Sequence, residues 1–340
     1  MNDPESRKIA SPFAVTIGDP AGIGPEVIAK SWAVRKAQGL PPFFVIGNSR
    51  ALSAVWDGPV IPIGGPDEAL EAFDRGLPCL PIDMDGDIIP GQPNTDGAQC
   101  ALHALEFGIG LAKNGAVAGL VTAPVGKSQL YSVGFTHPGQ TEFIAERCGV
   151  ARTNAVMMLA GPTLRVVPLT IHLPLAAVPD ALSIDLIRTR SLVTAKGLTR
   201  NFGIEKPRIA VAGLNPHAGE NGNMGREEID IIAPAIQSLR DEGLNIDGPH
   251  SPDAMFHAAA REEYDAALCM YHDQALIPIK TLHFDTGVNI TLGLPIVRCS
   301  PDHGTAFGIA GQNIANPGAM IAAIRMAEKA AQNRAARPDL

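Results

Sequence analysis

Short apolar runs alternate with longer amphipathic stretches along most of the chain. Residues 13–17 predict a first strand, and a helix is expected to begin near Pro25, because proline followed by glutamate is typical of the first turn of a helix. The apolar runs at 43–47 and 60–63 are each followed by a helical stretch. This alternation predicts an α/β fold with a largely parallel sheet covered by helices.

Capping and turn signals predict several later elements. A long helix is expected from a cap at 94–96 to Lys113, because Asn-Thr-Asp is typical of a helix start and Asn-Gly at 114–115 of a helix end. Gly161 and Pro162 predict a hairpin turn between two apolar runs. The remaining predicted elements are strands at 119–123, 155–159 and 287–291, an amphipathic helix over 186–198, and a final helix after Pro317.

Three strand-like runs each deliver a histidine at their carboxyl end. The runs and their histidines are 164–172 with His172, 209–217 with His217, and 267–274 with His272. Open α/β sheets bind their ligands at the carboxyl ends of the strands. Three imidazoles gathered there would leave positions on a metal ion open for substrate, which is typical of catalytic rather than structural sites. One such histidine alone would indicate a turn residue, but the repeated pattern predicts a metal site.

Several polar loops carry further candidate chemistry. Residues 18–26 hold three glycines that let the backbone pass close to a ligand, although their spacing is not the dinucleotide-binding G-x-G-x-x-G pattern. Residues 135–142 enter a helix whose first amides suit an oxyanion, and a capping box explains them equally well. The glycine-rich loop 218–225 and the tail 299–317 offer free backbone groups to a ligand. Asp253 has both a helix-capping and a functional interpretation.

Composition narrows the partners and the compartment. The 340 residues are 46% hydrophobic, which is enough for a sizeable core and typical of two domains. A net charge of −8 without a block of lysines or arginines argues against nucleic acid and anionic membrane as partners, and no apolar run reaches the ~18 residues of a membrane span. Five scattered cysteines and the polar segment 1–8 indicate neither a disulfide framework nor a targeting signal. We therefore expect a cytoplasmic protein.

Five sequence blocks, spread in order over nearly the whole chain, resemble the 4-hydroxythreonine-4-phosphate dehydrogenase family of pyridoxal phosphate biosynthesis. They are GDPAGIGPE at 18–26, TIHLPL at 170–175, GLNPHAGE at 213–220, MYHDQ at 270–274 and GVNITLGLP at 287–295. The resemblance implies two α/β/α domains with a cleft between them, as in isocitrate and isopropylmalate dehydrogenases, and no classical Rossmann fingerprint. We place 1–128 and 303–340 in the first domain, and 129–302, with the metal ligands and a dimer interface, in the second.

The resemblance also implies roles for single residues. His172 and His217 of one subunit and His272 of the partner subunit would bind one divalent metal, which could be zinc, cobalt, manganese or magnesium, in a homodimer with shared active sites. Asp273 would either accept the substrate proton, as a water on the metal also could, or orient a ligand histidine. The implied substrate-binding residues are Gln140, Thr141, Lys280, Asn289 and Arg298. The implied loop for NAD or NADP contains His303, Gly304, Thr305, Ala306, Gly311 and Asn316.

The implied activity is a metal-dependent, NAD- or NADP-linked oxidation. The substrate is the small phosphorylated hydroxy amino acid 4-phosphooxy-L-threonine, and the product 2-amino-3-oxo-4-phosphooxybutanoate loses carbon dioxide to give 3-amino-2-oxopropyl phosphate. The family commonly has a histidine where this chain has Gln140, and glutamine can hydrogen-bond an anion but carries no charge. Other acidic diols, namely 4-phospho-threonate, 4-phospho-erythronate or a ring cis-dihydrodiol, therefore stay open. A metal-dependent hydrolase is the alternative from another class, and it leaves the glycine-rich tail unexplained.

Overall fold

The computed structural model describes residues 11–339, so the polar segment 1–8 lies outside it. Within that range most strands are short and buried. They are β1 (Phe13–Thr16), β2 (Phe43–Gly47), β3 (Val60–Pro62), β4 (Leu77–Pro81), β5 (Leu120–Thr122), β6 (Val156–Ala160), β7 (Arg165–Pro168), β8 (Ile209–Ala212), β9 (Ile246–His250), β10 (Ala266–Cys269), β11 (Val288–Leu292) and β12 (Arg298–Pro301).

Helices separate most of these strands along the chain. They are α1 (Gly24–Ala33), α2 (Arg35–Gln38), α3 (Ser49–Ser53), α4 (Ala69–Arg75), α5 (Thr95–Lys113), α6 (Lys127–Ser132), α7 (Gln140–Arg147), α8 (Val178–Ala181), α9 (Ile184–Phe202), α10 (Ala233–Asp241), α11 (Ala258–Arg261), α12 (His272–His283) and α13 (Gly318–Ala336). None of the helices in the described range has the length and hydropathy needed to cross a membrane. The predicted α/β class is confirmed.

The chain divides into two compact units. The first contains the described residues up to Gly149 together with Leu294–Asp339, and the second contains Val150–Gly293. The boundaries predicted from the sequence are 128/129 and 302/303. The difference arises because α6 and α7 pack on α5, and because β12 pairs with β5, so both segments lie with the first unit.

The first unit is built on a parallel sheet with strand order β3-β4-β2-β1-β5-β12. The strands β1, β2 and β5 are buried along their whole length, as expected for strands covered on both faces. Helix α5 approaches this sheet closely at Gly108, where a Cβ atom would lie 2.8 Å from Leu120 Cδ1. Its predicted cap is confirmed, since the Asn94 side chain accepts a hydrogen bond from the Gly97 amide.

The second unit has strand order β11-β6-β7-β10-β8-β9. β6 is antiparallel to both β7 and β11, which confirms the hairpin predicted at Gly161 and Pro162. The strands β7, β10, β8 and β9 are mutually parallel. Helix α9 lies close to β11, because a Cβ at Gly197 would lie 2.8 Å from Leu292 Cδ1. The unit therefore holds its parallel strands in one contiguous block.

Candidate active site

The three histidine-bearing runs end at neighbouring strands of the second unit. β10 lies between β7 and β8, and all three are parallel, so their carboxyl ends lie at the same edge. Each strand ends before its histidine, which follows in the connecting segment: His172 comes four residues after Pro168, His217 five after Ala212 and His272 three after Cys269. The sequence therefore located the correct edge of the sheet, but overestimated the lengths of the strands.

His172 and His272 are brought together in one chain. Their ring centroids lie 5.8 Å apart, with planes tilted by 38°. Thr170 fixes this turn, because both its amide (3.3 Å) and its hydroxyl (2.8 Å) donate to the Met270 carbonyl. His172 itself has a left-handed backbone, with φ of 55°, which turns the chain sharply after the strand. Since metal–nitrogen bonds are about 2 Å long, two rings this close can share one ion.

His272 is the first residue of α12 and is oriented by its neighbour. Its Nδ1 lies 2.7 Å from Asp273 Oδ1, which leaves Nε2 to face a ligand. Gln274 anchors this helix start, because its side chain accepts from the Met270 amide (2.6 Å) and donates to the Gly213 carbonyl (2.8 Å) beyond β8. The sequence analysis assigned no role to Gln274. This contact ties the His272 segment to the segment that leads to His217.

His217 lies in a strained loop that a buried carboxylate supports. Residues 217–221 all have left-handed φ values, between 44° and 76°. Glu228 is 3% exposed, and its Oε1 accepts from the amides of Leu214 (2.7 Å) and Asn215 (2.8 Å) at the base of this loop. A Cβ at Gly219 would lie 2.6 Å from Glu228 Oε2, so a side chain there would have to displace the carboxylate that holds the loop. The role of Glu228 was not predicted, and its only sequence signal is a carboxylate one helical turn after a glycine-rich loop.

Asp253 lies near His217. Its pKa is below the ordinary value for aspartate, chiefly because the Ser251 hydroxyl donates to it (2.6 Å), with a smaller contribution from His217. The carboxylate is exposed, so water screens its attraction to a histidine or a ligand cation. The functional interpretation of Asp253 therefore stays available beside its role at the start of the short turn Pro252–Ala254.

The described residues of one chain bring two imidazoles together but do not form a complete set of metal ligands. No three His, Cys, Asp or Glu side chains in residues 11–339 lie close enough together to hold one ion. The imidazole pair, with Asp273 behind one ring, nevertheless has the donor chemistry of a catalytic site for zinc or a similar divalent metal. The geometry thus fits a metal that needs at least one further ligand from outside this pair.

The second unit also contains two of the predicted substrate-binding residues. Lys280 is half-buried on α12, two turns after His272. This helix continues through Pro278, although the sequence analysis predicted no helix there. Asn289 lies on β11, and its Oδ1 atom is buried without a hydrogen-bond partner among the described residues. A buried amide oxygen of this kind is suited to accept from a ligand.

In the first unit, Arg298 forms the centre of a polar cluster. The residue is 3% exposed at the start of β12, and its Nη2 donates to Thr122 Oγ1 (2.7 Å) and Gln140 Oε1 (3.2 Å). Burial lowers the pKa of the guanidinium to about 10, so it stays cationic at neutral pH. Gln140 also donates from Nε2 to the Ala123 carbonyl at 3.4 Å. Thr122 and Gln140 thus help to hold the cation in place, and the Glu142 carboxylate acts on it electrostatically.

Gln140 and Thr141 are the first two residues of α7. The N-cap position is held by Gly139, which has no side chain to bond the first amides, so the cap that a capping box needs is missing. The start of this helix thus lies beside the Arg298 cation, and the capping alternative is not supported. Gln140 accepts from Arg298, a role that a charged histidine at this position could not fill.

The predicted cofactor loop runs mostly over the surface of the first unit. Gly304, Ala306, Gly311 and Asn316 are exposed, while His303 and Thr305 are half-buried. His303 Nδ1 lies 3.1 Å from the Gly304 carbonyl. Asn316 accepts from the Gly318 amide (2.9 Å) and so also stabilises the start of α13. Most of the loop's residues are therefore accessible to solvent.

Comparison with known proteins places the whole chain in one family. The model of the family described as pyridoxal phosphate biosynthetic protein PdxA matches residues 41–327. A protein of Zymomonas mobilis named 4-hydroxythreonine-4-phosphate dehydrogenase is 57% identical over 325 residues, which cover 96% of this chain and 97% of the relative. A protein of the same name from Erythrobacter litoralis is 55% identical and covers 95% and 98%.

Solved structures give the same result. The crystal structure of 4-hydroxythreonine-4-phosphate dehydrogenase from Klebsiella pneumoniae is 37% identical, with a TM-score of 0.85 over 96% of this chain and 99% of that one. A terephthalate 1,2-cis-dihydrodiol dehydrogenase from Burkholderia xenovorans is more distant, with 25% identity and a TM-score of 0.64 over 94% and 98%. The chain belongs to the pyridoxal phosphate biosynthetic protein PdxA family.

Proposed function

We propose that this protein is a 4-hydroxythreonine-4-phosphate dehydrogenase. It oxidises the secondary alcohol of 4-phosphooxy-L-threonine with NAD or NADP, and the resulting β-keto acid loses carbon dioxide to give 3-amino-2-oxopropyl phosphate. The observation that carries the proposal is the 57% identity, over nearly the full length of both chains, to a relative with that name. The histidine pair His172 and His272 and the buried Arg298 are the groups that this chemistry needs.

In this proposal the three histidines are the metal ligands. His172, His217 and His272 would hold one divalent ion, which supplies Lewis acidity that lowers the pKa of the substrate alcohol. Neutral imidazoles leave the charge of the ion undiminished, and Asp273 keeps His272 in the tautomer that presents Nε2. The hydrogen bond to His272 favours this orienting role for Asp273 over the role of proton acceptor. Zinc, cobalt, manganese and magnesium are all compatible with such a ligand set.

The cations and amides would bind the charged ends of the substrate. Arg298 offers a planar fork to a phosphate or carboxylate, and Gln140 and Thr141 add hydrogen bonds at the start of α7. Lys280 and Asn289 would hold the other polar groups. The loop that includes His303, Gly304, Thr305, Ala306, Gly311 and Asn316 would hold NAD or NADP, which supplies a hydride acceptor.

We further propose that the protein is a cytoplasmic homodimer whose active sites are shared. The support is that residues 11–339 of one chain bring together a pair of histidines rather than three metal-binding side chains. The family resemblance takes His172 and His217 from one subunit and His272 from its partner. In the single chain the two neighbouring rings are those of His172 and His272, so the division of the ligands requires a direct test, which is described in the Discussion.

A substrate panel tests the proposed reaction against its relatives. Metal-loaded enzyme with NAD is offered 4-phosphooxy-L-threonine, 4-phospho-threonate, 4-phospho-erythronate and a ring cis-dihydrodiol, and reduced nicotinamide is followed by absorbance. We expect the largest kcat/KM for 4-phosphooxy-L-threonine. A larger kcat/KM for any other compound would show that this compound is the substrate. Gln140 would then be the residue that selects a different anion.

The cofactor choice gives one further prediction. Gly308 lies in the predicted loop with no acidic or basic side chain at 308 or 309, so we expect NAD to be preferred only modestly. A Cβ at Gly308 meets no atom within 4 Å, so a longer side chain fits there. Gly308→Lys should raise kcat/KM for NADP about tenfold by pairing with the 2′-phosphate. The measurement is steady-state kinetics with both dinucleotides.

The matched control is Gly308→Gln, which adds a side chain of similar reach without the charge and should leave the ratio of the two kcat/KM values nearly unchanged. A native preference for NADP of several hundredfold would place the adenosine site elsewhere. The adenosine site would also lie elsewhere if Gly308→Lys kept the wild-type ratio of kcat/KM for NADP to kcat/KM for NAD.

A further inference from the structure

The predicted cofactor loop is tied to helix α1 by a set of hydrogen bonds within the first unit. Lys30 Nζ donates to the carbonyls of Asn313 and Ala315, both at 2.9 Å. Glu26 Oε1 accepts from the Ala315 amide at 2.8 Å. The Ile23 amide donates to the Thr305 carbonyl at 2.9 Å. Both ends of the loop are therefore attached to the same helix and the turn before it.

Glu26 and Lys30 act as one unit. They lie one helical turn apart, and Lys30 Nζ donates to the same Glu26 Oε1 atom at 2.8 Å. With this bond the ammonium uses all three of its donors inside the protein. The Glu26 side chain is 1% exposed, so removal of Lys30 would leave a buried carboxylate with a weakened set of partners. Solvent screens this pair less than an exposed ion pair, because the carboxylate is buried and the Lys30 side chain is only 25% exposed.

The loop needs this support because its backbone is strained. Ala306 and Asn313 both have left-handed φ values, 44° and 59°, a conformation that is costly for alanine and less so for asparagine. The Ile23 bond is made to the residue just before Ala306, and Lys30 bonds the carbonyl of Asn313 itself. The bonds thus fall at the two positions where the loop would otherwise relax. Strained residues persist when their surroundings fix them in this way.

We propose that Glu26 and Lys30 are positioning residues for the dinucleotide. They keep the loop 303–316 in the conformation that binds NAD, without touching it themselves, and this rests on the proposed function. The glycine-rich block 18–26 then serves as a scaffold for the loop rather than as a ligand site. Its glycines permit the close approach, since a Cβ at Gly22 would lie 3.0 Å from the Thr305 carbonyl oxygen.

Binding of NADH tests the inference without turnover. The change is Lys30→Met, which keeps the length of the side chain and removes its donors. Because apparent affinity falls with the fraction of chains whose loop is competent, the Kd for NADH should rise about tenfold in a fluorescence titration. The KM for NAD should rise with it, while kcat and the KM for the phosphorylated substrate at saturating NAD stay near wild type. If the two residues only stabilised the fold, the substitution would lower kcat and weaken the binding of both NAD and the phosphorylated substrate.

Three further variants make the test specific. Lys30→Arg keeps the charge and donors and should restore most of the affinity. Lys36→Met is the matched control, because Lys36 is exposed on α2 and, within residues 11–339, makes a long ion pair of 3.9 Å with Asp74. Glu26→Gln keeps the shape and one oxygen acceptor but weakens the hold on Lys30, so it should shift Kd in the same direction by a smaller factor. This variant decides the question if Lys30→Met does not fold.

Hydrogen exchange of the Ala315 amide gives a readout that is independent of cofactor. This amide donates to Glu26, so its exchange should be faster in Lys30→Met than in wild type, and unchanged in Lys36→Met. Wild-type NADH affinity in Lys30→Met and Glu26→Gln would overturn the inference, whatever the exchange rate. A wild-type chain that binds no NADH would instead overturn the proposed function, and the positioning role with it.

Discussion

Replacement of any of the three histidines should abolish turnover and leave the chain folded. His172→Ala, His217→Ala and His272→Ala each remove one proposed metal ligand from a connecting segment after a strand, and no core packing is lost because these side chains are exposed or half-buried. Losing an outer partner of a ligand costs ~10–100-fold in activity or metal affinity, and losing the ligand itself should cost more. Asp273→Asn should therefore fall between wild type and the alanine variants.

Metal content, kcat/KM and thermal unfolding of each purified variant are the measurements. The control is His103→Ala, which removes an exposed imidazole on α5 in the first unit and should change none of the three. If one histidine variant retained near-normal activity and metal content, that residue would not be a ligand. After the metal is removed by a chelator, kcat/KM of the wild type should fall to the level of the alanine variants.

Mixing inactive variants should restore activity only for certain pairs. If His172 and His217 come from one subunit and His272 from its partner, a mixed dimer of His172→Ala and His272→Ala contains one site with no lesion and one with two. Random exchange then makes half of the dimers mixed and half of their sites intact, so about a quarter of wild-type activity returns. In a mixture of His172→Ala and His217→Ala every site keeps a lesion, and no activity returns.

The two mixtures separate all the possible divisions of the ligands. If His172 and His272 of one chain share a site with His217 of the other, as the 5.8 Å ring separation of the pair permits, only the mixture of His172→Ala and His217→Ala recovers. If His172 alone comes from the other chain, both mixtures recover. If all three ligands belong to one chain, neither mixture recovers. Subunit exchange is verified by mass spectrometry of labelled chains. If activity returns in neither mixture although the subunits have exchanged, all three ligands belong to one chain.

The parts of the fold set by local signals could be predicted from the sequence. Helix α5 begins and ends at the predicted residues because Asn94 caps its amides and Asn114 follows its last turn. The hairpin of β6 and β7 follows from the Gly-Pro turn between two apolar runs. The edge at which the histidines gather also follows, since parallel strands with the same pattern end at the same edge.

The rest depends on contacts between residues that are distant in sequence or on rare backbone conformations. The left-handed run at 217–221 has no local signal, and it is held by Glu228, whose burial cannot be read from its neighbours in the chain. Helix α12 continues through Pro278, against the local preference of proline. The bonds from Lys30 to Asn313 and Ala315 span more than 280 residues. Such contacts become visible only when the chain is folded.

The stoichiometry of the reaction tests the central claim most directly. Metal-loaded enzyme is incubated with 4-phosphooxy-L-threonine and NAD, and reduced nicotinamide, carbon dioxide and free phosphate are measured in the same sample. The account predicts equal amounts of reduced nicotinamide and carbon dioxide, with the phosphate retained on 3-amino-2-oxopropyl phosphate. Release of free phosphate without reduced nicotinamide would contradict it, and would instead identify a metal-dependent hydrolase.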